Sequence, residues 1–213
     1  TIRSNNSLSW KGLIYDNHYI DLLASYSFLE RGEKVYLKNL YNLEEQLSAD
    51  SRDHDTSTFN AWVFRGTYSR FMRDTSRFNF QLGFDLSIET GSGKKIEGQE
   101  QRLDDYAVFG GIKYRFLNKL TIQPSLRYAY NTKYKTPLTP SLNLKYGLNE
   151  KMDLRFSYAK GFRAPSLKEL YLDFVDLNHD IHGNAELEAE KSDNLNLSFS
   201  YMKASEKSLI KIE

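Results

Sequence analysis

From Phe78 onward the chain alternates without a break. Even positions carry Phe78, Phe80, Leu82, Phe84, Leu86 and Ile88, and between them lie Asn79, Gln81, Gly83, Asp85, Ser87 and Glu89. In an extended strand this period of two sorts side chains onto two faces, whereas a helix would scatter the apolar ones around its surface. The pattern recurs in Leu120, Ile122, Pro124, Leu126, Tyr128 and Tyr130 and in Leu142, Leu144 and Tyr146. It returns in Met152, Leu154, Phe156 and Tyr158 and in Leu195, Leu197, Phe199 and Tyr201. Fainter versions cover about 7–15, 18–29, 34–41, 58–72, 105–116 and 207–213. The reading is all-β, with roughly eleven strands. Alternation is still running at SLIKIE, so a fragment cut within its last strand is expected. Helix is confined to one turn near Ser166–Leu170, with Pro165 at a favourable first position.

Connections alternate in length. Short ones are expected near Arg73–Asp74, Leu117–Lys119, Leu148–Lys151 and Ala204–Lys207, and longer ones at about 42–56, 90–104, 133–137 and 161–190. Strands that turn tightly at one end and loop freely at the other describe an antiparallel meander, and outer-membrane barrels are built this way. Ser76–Glu89 is longer than the ~5–6 residues usual in soluble strands and fits the ~9–11 that cross a bilayer in a barrel. The chain has 15 Tyr and 13 Phe among its 213 residues, yet it is hydrophilic on average. A barrel reconciles the two, because its lumen-facing half is polar. Tyr106, Tyr114, Tyr130, Tyr134, Tyr146, Tyr158 and Tyr201 lie near the ends of alternating runs and suit an interfacial girdle, although Tyr also favours strands generally. No apolar run approaches the ~20 residues of a spanning helix. The net charge of +1 does not select for nucleic acid, and the lack of Cys excludes disulfides and thiolate metal sites.

The strand Lys151–Lys160 runs into GFRAPSLKELY, and about thirty irregular residues follow before alternation resumes at Leu195. Pro165 ends ladder pairing there. Long loops in compact proteins are functional or disordered, and Tyr171, Phe174, Val175 and Ile181 give this one too much apolar material for disorder.

FRAP (Phe162, Arg163, Ala164, Pro165), SLKELY and, beyond the loop, GNAELEAEKSDN (Gly183–Asn194) resemble the barrel signature of TonB-dependent outer-membrane receptors. Asn184 and Leu187 match the second box, while Ala185 and Glu186 replace its usual Pro and Asp or Asn. The resemblance continues through Phe78–Gly98, Asp105–Tyr128 and Leu138–Pro165, covers most of 58–203, and is faint over 1–57. It implies a roughly 22-stranded barrel enclosing an N-terminal plug. Residues 1–213 would supply about ten to eleven of those strands as a transmembrane β-barrel fragment, with the plug and its TonB-contacting box outside the chain. It also implies a bacterial outer-membrane location in contact with membrane lipids or lipopolysaccharide. Such receptors take up iron–siderophore complexes, haem, cobalamin or some glycans, driven through TonB. An iron–siderophore complex or haem is the expected ligand here, with cobalamin as the alternative.

Several residues are candidates for ligand contact. In the haem-receptor branch a histidine between the two boxes ligates haem iron, and His179 and His182 both fall in that interval; as exposed loop residues they need no such role. Arg163 could hold an anionic ligand or pair with carboxylates of its own loop, among them Asp173, Asp176, Asp180, Glu186, Glu188 and Glu190. Tyr171 is a further ligand-binding candidate. The loop Leu43–Thr56 bunches Glu44, Glu45, Asp50, Asp53 and Asp55, which could hold calcium but fit no EF-hand spacing. Neither haem nor calcium would be a permanent cofactor. GSGKK (Gly91–Lys95) fails as a phosphate loop, because Ile88 and Lys95 occupy positions that need Gly and Ser/Thr. No HExxH, GxSxG or Cys–His arrangement is present, so no enzymatic activity is expected. The rivals are a small self-contained outer-membrane barrel (protease or porin) and a soluble β-sheet protein that binds carbohydrate.

Overall fold

The computed structural model describes residues 1–15, 17–49, 54–70, 77–116, 119–175, 180–205 and 208–212, with side chains up to residue 202. Ten strands form one antiparallel sheet, in the order β1 (Ile2–Tyr15), β2 (His18–Lys34), β5 (His54–Arg70), β6 (Phe78–Ser92), β7 (Glu100–Phe116), β8 (Leu120–Asn131), β9 (Thr139–Asn149), β10 (Met152–Arg163), β13 (Glu190–Ser205) and β14 (Ser208–Ile212). Two hairpins stand outside this wall: β3 (Tyr36–Lys38) with β4 (Glu45–Leu47), and β11 (Asp173–Val175) with β12 (Asp180–His182). One helix, α1 (Leu167–Tyr171), follows β10.

The register keeps parity across the wall. Leu22 pairs with Gly66, Gly66 with Phe84, Phe84 with Val108, and Val108 with Tyr128. Further along, Leu120 pairs with Tyr146, Tyr146 with Leu154, and Leu154 with Phe199. The apolar face is therefore continuous. Many of its side chains stand exposed, Leu8, Leu82, Val108, Leu195 and Leu197 among them. The other face is polar and charged. On it Asp85 lies 3.3 Å from both Arg65 and Arg127, and Asp153 pairs with Arg155 and Lys145. Six of the expected girdle tyrosines (Tyr106, Tyr114, Tyr130, Tyr146, Tyr158 and Tyr201) share the apolar face by register. Tyr134 does not; it lies in the β8–β9 loop, where its hydroxyl donates to the Leu187 carbonyl at 2.6 Å.

Connections 117–119 and 150–151 close one end of the wall, and 35–53, 93–99, 132–138 and 164–189 lie at the other. The expected turn at Arg73–Asp74 lies outside the described residues, as do 206–207 of the turn expected at Ala204–Lys207. Two boundaries differ from the sequence reading. The 34–41 segment is not a wall strand: β2 ends at Lys34, and Tyr36–Lys38 pairs only with Glu45–Leu47. The β6–β7 loop shrinks from about 90–104 to 93–99, because Thr90, Gly91 and Ser92 go on pairing with Arg102, Gln101 and Glu100. Above the apolar belt the outward positions (Thr90, Ser92, Glu100, Arg102 and Asp104) are polar, so the ladder continues without the alternation that would betray it.

Little of the wall is covered. Among the described residues the buried apolar side chains are Ile96, Leu103, Ala107, Leu167, Leu170 and Phe174. All of them belong to α1, its following strand or the upper β6–β7 region, where the loop after β10 folds back onto the polar face.

Candidate functional site

That folded-back loop is built from its first residue upward. Pro165 is buried one position before Ser166, which is the N-cap of α1; Pro165 thus precedes the cap instead of occupying the first helical position. The Ser166 hydroxyl accepts from the Glu169 N–H, and the Glu169 carboxylate accepts from the Ser166 N–H at 2.7 Å, a reciprocal capping box. The Arg163 guanidinium reaches two carboxylates, Glu169 at 3.1 Å and Glu190 at 2.6 Å. Glu190 is also the register partner of Arg163 in β13. One side chain therefore ties together the end of β10, the start of β13 and the first turn of α1. Arg163 and the capping contacts hold the Glu169 carboxyl down to about 2. Arg163 pairs with carboxylates of its own loop.

Leu167 and Leu170, at 2% and 0% exposure, anchor the helix on the wall. Leu167 enters the space left by Gly91, where a Cβ would lie 2.7 Å from its Cδ2. Downstream, Leu172 bridges to Ile96, the Asp173 N–H donates to the Lys95 carbonyl, and the Glu97 N–H donates to that of Tyr171. The second box closes over the helix. The Asn184 N–H donates to the Glu169 carbonyl at 3.0 Å, and Gly183 passes so close to Leu170 and Tyr171 that a Cβ would meet their backbone at 2.7–2.8 Å. Ala185 and Glu186 do not disturb this turn. The Asn184 side chain accepts from the Glu186 N–H at 2.9 Å, and the Leu187 N–H donates to the Asn184 carbonyl at 3.2 Å.

Cations lie over aromatic rings around this loop. Lys133 sits 4.6 Å from the Tyr171 ring centre and donates to its hydroxyl at 3.0 Å and to the Ala185 carbonyl at 2.8 Å. Arg31 and Lys95 lie 4.0 and 4.7 Å from the Phe174 ring, and Lys168 lies 4.6 Å from that of Phe59. Phe174 is buried and Lys95 also pairs with Glu33 at 2.5 Å, whereas the Arg31, Lys133 and Lys168 heads are exposed, the last two beside the half-buried Tyr171 and Phe59 rings. A pocket of 290 Å³ opens between α1 and the wall, lined by Leu29, Phe59, Glu89, Leu167 and Lys168 among others.

Of the sequence-predicted ligand residues, Arg163 and Tyr171 converge on this loop, and His182 lies at its outer hairpin. His182 Nδ1 is 2.7 Å from Asp173, and Nε2 is 2.8 Å from Asp180. The two carboxylates raise its pKa above the usual imidazole range. Haem-iron ligation by His182 would require breaking one of those contacts, since iron needs an unprotonated nitrogen. His179 lies outside the described residues, as do Asp176, Asp50 and Asp53. In the proposed calcium loop Glu45 pairs with Lys38, and Asp55 accepts from Ser57 and from the Lys94 N–H. No group of three or more His, Asp or Glu that could hold a metal occurs among the described residues. Arg31, Lys133 and Lys168 were not singled out from sequence, and Lys95 was weighed only as part of a failed phosphate loop. They reach their rings from distant strands and loops, and no local pattern marks them.

A model of the TonB dependent receptor-like β-barrel matches residues 2–209. The chain belongs to the TonB-dependent receptor β-barrel family. These barrels sit in the bacterial outer membrane, and this chain is a partial barrel wall. A ferric enterobactin receptor of Pseudomonas aeruginosa is 22% identical over 228 residues, covering 83% of this chain and 30% of that protein. The solved structure of the siderophore receptor PirA from Acinetobacter baumannii superposes with a TM-score of 0.69 at 18% identity, over 94% of this chain and 32% of that one. A ferric enterobactin receptor mutant from Pseudomonas aeruginosa, solved with enterobactin, gives 0.68 at 17%, over 98% and 34%. The chain thus spans about a third of the length of these relatives. They are receptors, not enzymes.

Proposed function

We propose that residues 1–213 form wall and outer loops of a receptor that imports a ferric siderophore, driven by TonB acting on a part of the receptor outside this chain. The relatives named for ferric enterobactin and other siderophores support this reading. The observation that carries it is the set of cation–aromatic contacts at the mouth: Lys133 on Tyr171, Arg31 on Phe174 and Lys168 on Phe59. Positive heads beside ring edges complement an anionic chelate that carries aromatic groups. The apolar face would meet lipid, and its tyrosines near the strand ends would lie at the interfaces.

The test uses full-length receptor and ferric enterobactin as probe, with binding followed by fluorescence quenching. Saturable binding is expected, weakened about tenfold or more by Lys133→Ala combined with Arg31→Ala. Uptake by cells, but not binding, should stop when the proton gradient is collapsed. A receptor that ignores ferric catecholates and instead develops a haem Soret band, or binds cobalamin, overturns the siderophore assignment.

A further inference from the structure

The apolar face is interrupted near its tight-turn end by a fixed charge. On strands β2 to β10, Arg70 is the only Lys or Arg of that face at this end among the described residues; Lys34, Arg102 and Lys160 stand at the outer end. Arg102 has a carboxylate beside it, Asp104 at 2.9 Å. Arg70 has no ion pair with any described residue, and its buried Nε has no hydrogen-bond partner. Its register neighbours are His18 on β2 and Phe80 on β6. His18 is engaged elsewhere: its Nδ1 lies 2.5 Å from the Tyr68 hydroxyl, and its ring stacks on that of Tyr68. Beside Phe80 the surface dips. A shallow groove of 460 Å³ runs over Gly110, bordered by Leu82, Ile112, Pro124 and Leu126. Here the β7–β8 ladder lapses at Ile112 and Lys113, opposite Pro124 and Gln123, where proline has no N–H to donate.

Position selects the occupant. Short turns of an outer-membrane barrel face the periplasm, so this end lies at the interface of the periplasmic leaflet. Aromatic pairs mark that boundary: Tyr68 with Phe80, ring centres 5.7 Å apart, and Tyr114 with Phe116 at 5.5 Å. A guanidinium on a lipid-facing surface reaches along its stem to the boundary, and the anions that meet it there are lipid phosphates. Its paired N–H groups match the oxygens of a phosphate. Arg70 on β5 and Gly110 on β7 are two strand spacings apart, about 10 Å. One molecule that carries both a phosphate and a hydrocarbon chain spans that distance, whereas free phosphate would leave the groove empty. We infer that Arg70 and the Gly110 groove form a binding site for one glycerophospholipid of the periplasmic leaflet, its phosphodiester on the guanidinium and an acyl chain laid over Gly110. This rests on the reading of the apolar face as the lipid-exposed side of a receptor wall.

Native mass spectrometry tests it on purified full-length receptor in detergent, titrated with dioleoylphosphatidylglycerol. A retained lipid is expected that Arg70→Gln holds about tenfold less tightly. Arg70→Lys, which keeps the charge, should retain most of it, and Arg102→Gln, at the outer end of the same face, should leave it unchanged. Dioleoylglycerol, which lacks the phosphate, and soluble glycerol phosphate, which lacks the chains, should compete poorly. Phosphatidylglycerol with a photoreactive diazirine in its acyl chain should label 110–112 and 124–126 above the rest of the apolar face, and Arg70→Gln should remove that preference. No retained lipid, retention unaffected by Arg70→Gln, competition by dioleoylglycerol or glycerol phosphate equal to that of the phospholipid, or label spread evenly over the apolar face overturns the proposal. Ferric enterobactin binding measured on the same sample separates failure of this site from failure of the receptor reading.

Discussion

Arg163 and His182 brace the same loop from two sides, and the groups they hold titrate in opposite senses. The Glu169 carboxyl is held near 2 in the folded loop, below its ordinary 4.5. Its contribution is therefore complete above about 4.5 and disappears as pH falls toward 2. The His182 imidazole is raised above 6.5 by Asp180 and Asp173. Its contribution is complete below 6.5 and fades as pH climbs through the folded value. Hydrogen exchange across 166–184 in the full-length receptor, corrected for intrinsic rates, should thus be slowest between about 4.5 and 6.5. Glu169→Gln should flatten the acidic limb alone and His182→Asn the alkaline limb alone. A profile unchanged by both substitutions would show that neither side chain braces the loop.

The element that most affects the mouth is α1, five residues long and too short to persist unaided. It depends on a capping box at one end and on Leu167 and Leu170 beneath it. Leu167→Ala should lower the local opening energy of α1 by about 2–5 kcal/mol, as for other buried leucines. Exchange at the α1 amides should then rise to near that of an open loop while β6 stays protected. The same element marks the limit of what can be read from sequence. Ser166, Glu169 and the preceding proline are adjacent, so a capped turn at 166–170 is visible, although the proline falls one position earlier than a first-turn residue would. Gly91 and Ile96 complete the site from some seventy residues upstream. Glycine's part as a socket for Leu167 leaves no trace in its own neighbourhood.

At the scale of the molecule, parity is the property that was legible, since a period of two is written in consecutive residues. Phe78–Ile88, Leu120–Tyr130 and Met152–Tyr158 all take the faces their alternation predicts. The upper extensions at Thr90–Ser92 and Glu100–Asp104 were not legible, because they stand above the apolar belt: Thr90, Ser92, Glu100, Arg102 and Asp104 are polar where the strands below carry apolar residues. A pair of neighbouring substitutions tests the parity directly. Leu82→Arg places a charge on the apolar face near mid-belt and should cost about 2–4 kcal/mol in denaturant unfolding of the full-length receptor in lipid. Gln81→Arg, one residue earlier and facing the lumen, should change stability by less than about 0.5 kcal/mol. Equal effects at the two sites would mean the faces are misassigned.

Pairing that stays in register from β1 to β13, apart from shifts beside the turns at Leu13–Tyr15 and Met152–Asp153, also restricts how such a chain can change length. One residue gained or lost inside β6 would turn every later side chain of that strand over, presenting Asp85 or Glu89 to oil and Phe84 or Leu86 to water. Strands of this wall can lengthen or shorten tolerably only in steps of two, while the outer connections are free to vary by any number. Novelty in what the receptor captures is therefore expected to arise by growth and trimming at 35–53 and 164–189, with the staves beneath them held in phase.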